Sequence, residues 1–151
     1  MTSSIRRVDN QEYLGVITEL LLRGETVNLT VSGNSMSPFL IHERDQVLLS
    51  PVKDKLKKGD IVLYQRESGD YVLHRLRKVG TEYCQLIGDN QTQLERGVPR
   101  SRIIARVTAV RRNGKTLKPG NLCWEFFAKL WLYMIPFRGI IKKAYFSLKG
   151  V

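Results

Sequence analysis

From residue 26 to residue 111 the chain alternates apolar and polar positions in short runs, and outside that stretch the apolar spacing becomes helical. Val27, Leu29 and Val31 alternate with Thr26, Asn28 and Thr30, the period of two that marks a half-buried strand. Further runs over 46–49, 60–65, 71–79, 83–87 and 102–111 predict strands, and Ser68-Gly69-Asp70 and Asn113-Gly114-Lys115 are hairpin signals between them. Along 71–79 the same period puts Val72, His74 and Leu76 on one face and Leu73, Arg75 and Arg77 on the other. The stretch 91–101 shows no such alternation and reads as a polar loop, with Arg96 and Arg100 solvating the surface.

The flanks differ. Residues 9–23 predict an amphipathic helix, with Tyr13, Leu14, Ile17, Leu20 and Leu21 on one stripe, Asp9 and Glu12 placed for a capping box, and Gly24 as the stop. Its polar face and length suit packing on the domain rather than spanning a bilayer. After Gly120 comes an aromatic, apolar segment, 122–135, which Glu125 and Lys129 interrupt and Pro136 ends. A basic segment follows, in which Arg138, Lys142 and Lys143 alternate with Phe137, Ile140, Ile141, Tyr145, Phe146 and Leu148. Spanning helices need about 20 unbroken apolar residues, so this tail is read as amphipathic helix. It is suited either to in-plane contact with an anionic membrane through residues 122–148 or to capping the domain's core or a dimer contact. The expected division is an N-terminal helix over 1–25, a β domain over 26–118 and a helical tail over 119–151.

A length of 151 residues fits one such unit with a real core. Charge alters the picture more than size does. With 25 Lys plus Arg against 14 Asp plus Glu, the formal net charge is +11, which favours an anionic partner. No aromatic-interleaved RNA motif or recognition helix argues for nucleic acid. Cys84 and Cys123 form neither a C-x-x-C pair nor a metal-ligand cluster with His42 and His74, so free thiols, no metal and no cofactor are expected. The N-terminal residues are basic but not followed by an apolar run, so neither a cleavable signal nor an N-terminal anchor is expected, and the cytoplasm or the inner membrane face is the expected location.

The candidate chemistry starts where the 26–31 strand ends, in Val31-Ser32-Gly33-Asn34-Ser35-Met36-Ser37-Pro38-Phe39-Leu40. Gly33 permits a sharp bend two residues before Ser35 and Pro38 fixes φ three residues after it, so Ser35 is presented on a rigid loop leaving a scaffold strand. Ser35 is the candidate nucleophile, with Met36 packing beneath the loop.

Three later segments accompany this loop in order: Lys57-Lys58-Gly59-Asp60-Ile61-Val62, then Val72-Leu73-His74-Arg75-Leu76, then Gly88-Asp89-Asn90. Together with G-N-S-M-x-P they resemble the serine-peptidase superfamily that contains type I signal peptidases and LexA-type self-cleaving proteins. The resemblance covers about residues 27 to 110, with Val98-Pro99 and 103–107 similar to the closing strand. It implies a mainly β, partly open barrel-like domain. It also implies a site in which Ser35 attacks, a base takes its proton and an orienting carboxylate supports the base. Many bacterial relatives use lysine where this chain has His74; histidine followed by arginine, and G-D-N with Asp89, resemble the endoplasmic-reticulum and archaeal type. His74 is then the general base and Asp89 its orienting carboxylate. Oxyanion stabilisation falls to the Ser35 backbone N–H. A serine two residues before the nucleophile is common in relatives, but here that position is Gly33, with Ser32 and Asn34 beside it, so the second donor stays open. Asn90 is expected to fix the turn around Asp89, and His42 and Asp45 are read as surface residues.

The implied function is a serine endopeptidase that processes a leader or signal-like peptide with small side chains before the scissile bond. Two alternatives differ in class. A self-cleaving regulator calls for a DNA-binding module and an Ala-Gly or Cys-Gly target pair ahead of Ser35, and neither is seen. A non-catalytic basic module binding a peptide or membrane rests on the charge alone.

Overall fold

The computed structural model describes residues 3–150, with side chains described from Glu12 onward. Eight strands form one open antiparallel sheet: β1 (Val27–Thr30), β2 (Asp45–Pro51), β3 (Ile61–Gln65), β4 (Tyr71–Val79), β5 (Tyr83–Ile87), β6 (Glu95–Pro99), β7 (Ile103–Arg112) and β8 (Lys115–Leu117). Their order is β1-β2-β7-β3-β4-β5-β6, with β8 added to β7. The fold is mainly β, with helices at both ends of the chain.

Helix α1 (Ser3–Leu22) starts earlier than the stripe of apolar residues suggests. Asp9 therefore lies inside the helix instead of capping it, and its side chain is outside the described residues. The C-terminal end follows its sequence: Gly24 adopts φ +88° and its N–H bonds back to the Leu21 carbonyl, the left-handed stop that glycine takes without a Cβ penalty. Ile17 and Leu21 are buried, and α1 lies against β1, β2 and β7.

Two clusters of apolar side chains flank the sheet. Ile61 and Leu63 of β3 join the larger one with Ile17, Val47, Leu49 and Val107, while Val62 and Tyr64 join the smaller one with Leu76, Cys84, Leu86 and Val98. β3 thus buries both faces, which is why it reads as an unbroken apolar run.

The tail begins with α2 (Leu122–Glu125), runs through a wider helical stretch at Phe126–Trp131, and resumes after a 3-10 turn as α3 (Arg138–Leu148). Its two halves behave differently. Trp124, Phe127, Trp131 and Leu132 are buried, the first three in the larger core with Phe39 of the serine loop against the Trp124 and Phe127 rings. Phe137, Ile140, Tyr145, Phe146 and Leu148 stay exposed. No helix among the described residues is long and apolar enough to cross a membrane.

Two strands escape the alternation. β6 lies within the segment read as a polar loop, because its register against β5 slips between Cys84 and Leu86 and Gly97 sits at φ +65°, which hides the period of two. β8 is only three residues long. Both cysteines are free, Cys84 buried and Cys123 half-buried.

Candidate active site

The loop that carries Ser35 leaves β1 and is fixed from three sides. Gly33 takes φ +87°, and its N–H donates to His42 Nδ1 at 2.8 Å. Ser37 N–H closes a turn onto the Asn34 carbonyl at 3.1 Å. Met36, Phe39 and Leu40 are buried beneath it, leaving Ser35 half-buried at the surface and Pro38 exposed. His42 is therefore a loop support rather than a bystander. His42 is exposed, as expected, but Asp45 is no surface residue: it is fully buried, accepts the Ile41 N–H at 2.8 Å, and takes Arg44 and Arg112 on its carboxylate. Burial pushes its carboxyl up, but those hydrogen bonds win and hold it below the ordinary value.

The third side is the Gly88-Asp89-Asn90 turn, and each residue type has a physical reason. A Cβ on Gly88 would lie 2.4 Å from the Ser35 carbonyl oxygen, so only glycine permits the two backbones to approach. Asn90 donates its backbone N–H to the Ser35 carbonyl at 2.9 Å and its side-chain amide to the Asn34 carbonyl at 3.1 Å. Asp89 accepts from Arg75 Nε at 2.8 Å and Arg75 Nη2 at 2.7 Å, with both side chains fully buried, while Arg75 Nη1 reaches the Gly59 carbonyl at 2.8 Å. One guanidinium thus ties the K-K-G-D turn to the G-D-N turn.

The tail grips the same turn from behind. Trp131 Nε1 donates to the Asp89 carbonyl at 2.8 Å. Arg138, fully buried, donates to the carbonyls of Gly88 at 3.1 Å, Gln91 at 2.8 Å and Trp131 at 3.0 Å, and Lys142 reaches the Asn90 carbonyl. None of these supports was predicted. A basic residue among aromatics looks the same in sequence whether it meets solvent, lipid or three carbonyls.

Ser35 and His74 line one cleft of about 1040 Å³, open to solvent. Apolar walls come from Leu29 of β1 and Val31 just after it, Leu63 of β3 and Val72 and Leu73 of β4, with Tyr13 and Leu14 of α1 at one side and Arg66, Asp70 and Gln91 among the polar lining. His74 is 1% exposed. Its Nδ1 lies 3.2 Å from the Tyr64 hydroxyl and 3.7 Å from Glu95 Oε2. The hydroxyl of Tyr64 in turn donates to Glu95, which also accepts Arg66 Nε at 2.9 Å.

Register explains the meeting. Val62 pairs with His74 and Tyr64 with Val72, so Tyr64 and His74 are diagonal neighbours on one face, within reach for an aromatic side chain. Leu86 pairs with both Leu76 and Glu95, which brings β6 to the same face across β5. Burial, and next the Arg66 cation, lower the imidazole from 6.5 to about 4 against the opposing pull of Glu95. Burial raises Glu95, yet the hydrogen bonds from Arg66 and Tyr64 outweigh it and leave the carboxylate below its ordinary value.

Asp89 is placed differently from what the resemblance implies. Its oxygens are taken by Arg75, on the opposite face of β4 from His74, and the carboxylate beside His74 is Glu95. Lys78, four residues along β4 from His74, is exposed and borders a separate hollow with Cys84 and Gln85, and the β4 register slips between Leu76 and Lys78. Among the described residues no His, Cys, Asp and Glu group is arranged to hold a metal.

A family model described as Peptidase S24-like matches residues 3–108. No curated protein matches the chain at a significant level.

Proposed function

Because the chain belongs to the Peptidase S24-like family, a group of serine peptidases within the LexA and signal-peptidase superfamily, we propose that Ser35 is its nucleophile and His74 its general base in the processing of a leader or signal-like peptide. The observation that carries this reading is the shared cleft, in which a serine on a backbone-pinned loop and a neutral, buried imidazole line the same walls. In the reaction, the Ser35 hydroxyl proton passes to His74 as Oγ attacks the scissile carbonyl, the Ser35 N–H faces the developing oxyanion, and His74 returns the proton to the leaving amine. The apolar walls favour an extended peptide over a folded protein surface.

A synthetic peptide library incubated with the full chain and read by mass spectrometry tests it. Cleavage after small residues is expected, falling by roughly 10³-fold or more in both Ser35→Ala and His74→Ala. Persistence of cleavage in Ser35→Ala refutes the nucleophile. Cleavage confined to the chain itself would instead favour LexA-type self-processing.

The tail completes the reading with a location. Outward-facing Ile140, Tyr145, Phe146 and Leu148 stand beside Lys143 and Lys149, the combination an in-plane helix uses on an anionic leaflet. Vesicles with and without phosphatidylglycerol are the probe. Binding is expected only to the anionic ones, weakening roughly fivefold for each of Lys143→Gln and Lys149→Gln. Equal binding to both, or none together with concentration-dependent dimerisation, assigns this face to another partner.

A further inference from the structure

The carboxylate that the G-D-N motif would offer to the base is spent on Arg75, and a different one stands where an orienting group belongs. We propose that Glu95, acting through the Tyr64 hydroxyl, is the positioning residue for His74, and that it sets which ring nitrogen carries the proton. The inference rests on His74 being the base and adds how that base is held.

Proton accounting leads to it. A neutral Tyr64 has one hydroxyl proton, and that proton is donated to Glu95, whose ionised carboxylate has only acceptors. Toward His74 the hydroxyl oxygen is then an acceptor, so the 3.2 Å contact is filled by a proton on Nδ1. Nε2 is left with its lone pair. That is the tautomer a base needs, since the nitrogen away from its orienting partner must take the serine proton.

The surroundings hold this state. Tyr64 is fully buried, and its hydroxyl is kept protonated by burial and by the Glu95 charge. Arg66 grips Glu95 through Nε and Nη2, at 2.9 and 3.3 Å, which fixes the carboxylate and keeps it ionised. When His74 takes the serine proton, the imidazolium lies 3.7 Å from Glu95 Oε2, and among the described residues no other carboxylate comes within 4 Å of its ring nitrogens. Arg66 opposes that charge and Glu95 favours it, so the pair tunes the base in both directions. Asp70 and Tyr71 beside β4, Tyr13 of α1, and His42 and Glu43 after the serine loop are the other titratable groups lining this cleft.

The chain has only two histidines, His42 and His74, so imidazole nitrogen-15 NMR of the unliganded protein resolves both, with His42→Gln used only to assign the His42 signal. The expected result is an Nδ1–H tautomer in the wild-type background at pH 7, a mixed or inverted tautomer in Tyr64→Phe, and a His74 titration moved further down in Glu95→Gln. Glu95→Asp should restore part of the titration. On a peptide found by the library screen, Tyr64→Phe and Glu95→Gln should lower kcat by about tenfold with KM little changed. An Nε2–H tautomer in the wild type, or one unaltered by Tyr64→Phe, overturns the proposal. Those outcomes are independent of the alanine tests at Ser35 and His74, so failure here and failure of the catalytic reading are separately visible.

Discussion

His74 and Arg75 are neighbours on β4, yet strand alternation sends them to opposite faces and each meets a carboxylate of its own. Arg75 and Asp89 are both fully buried and joined by two bonds, at 2.8 and 2.7 Å. Arg66 and Glu95, on the His74 side, keep 39% and 30% of their side-chain surfaces exposed. The two pairs consist of the same groups but hold different things. A dry pair cannot lose one member without stranding the other, which suits it to fixing turns. A half-wet pair exchanges partners with water cheaply, which suits it to biasing a titrating neighbour.

Asp89→Asn sharpens this contrast most. It leaves Arg75 as a buried charge without its counterion and should cost about 3–5 kcal/mol in urea unfolding. Activity would then fall because the turn beneath Ser35 loosens. A stable Asp89→Asn protein with kcat reduced and the Nδ1–H tautomer lost would show that Asp89, not Glu95, serves the base.

Acid supplies the next test. The folded imidazole titrates near 4 and the unfolded one near 6.5, so between those values the unfolded chain binds more protons and stability falls as pH is lowered. The loss should approach the order of 3 kcal/mol below pH 4. Protonation of Glu95, held below its usual range when folded, adds to the loss in the same direction. Urea midpoints measured from pH 7 to pH 4 should therefore be less steep in His74→Gln. Parallel curves for the two proteins would mean that His74 is solvated and the contrast between the faces is lost.

The smallest effect is expected for Glu95→Gln, at about 0–1 kcal/mol by the same urea assay at pH 7, because Gln still accepts from Tyr64 and the Arg66 pair is half exposed. A cost near that of Asp89→Asn would erase the distinction.

The sheet was largely legible because burial of one face writes its period into the residues, as in β2, where Val47 and Leu49 are buried and Gln46 is exposed. That Ser35 and His74 line one cleft was legible for a related reason: each sits in an ordered string of motifs. What escaped depended on register. Glu95 precedes a bulge that cancels the alternation of β6, and its approach to Tyr64 is set by pairings across β3, β4 and β5 that no local pattern records. His42 supports the Gly33 loop through a single ring nitrogen, and Arg138 and Trp131 act on backbone carbonyls, partners that carry no side-chain signature. Arg75 and Asp89 stood in the motifs, but the motifs do not say whether a carboxylate faces the base or the arginine beside it.

The grip of the tail on the Gly88-Asp89-Asn90 turn also imposes an order in time. Synthesis proceeds from the N-terminus, so Ser35 and His74 are made long before Trp131, Arg138 and Lys142, the residues that close on the carbonyls behind them. A nascent chain complete only through β8 has Ser35 but not the clasp on the turn that steadies its loop. Ser35 is among the first parts of the molecule to be made, and the turn behind its loop is among the last to be clasped.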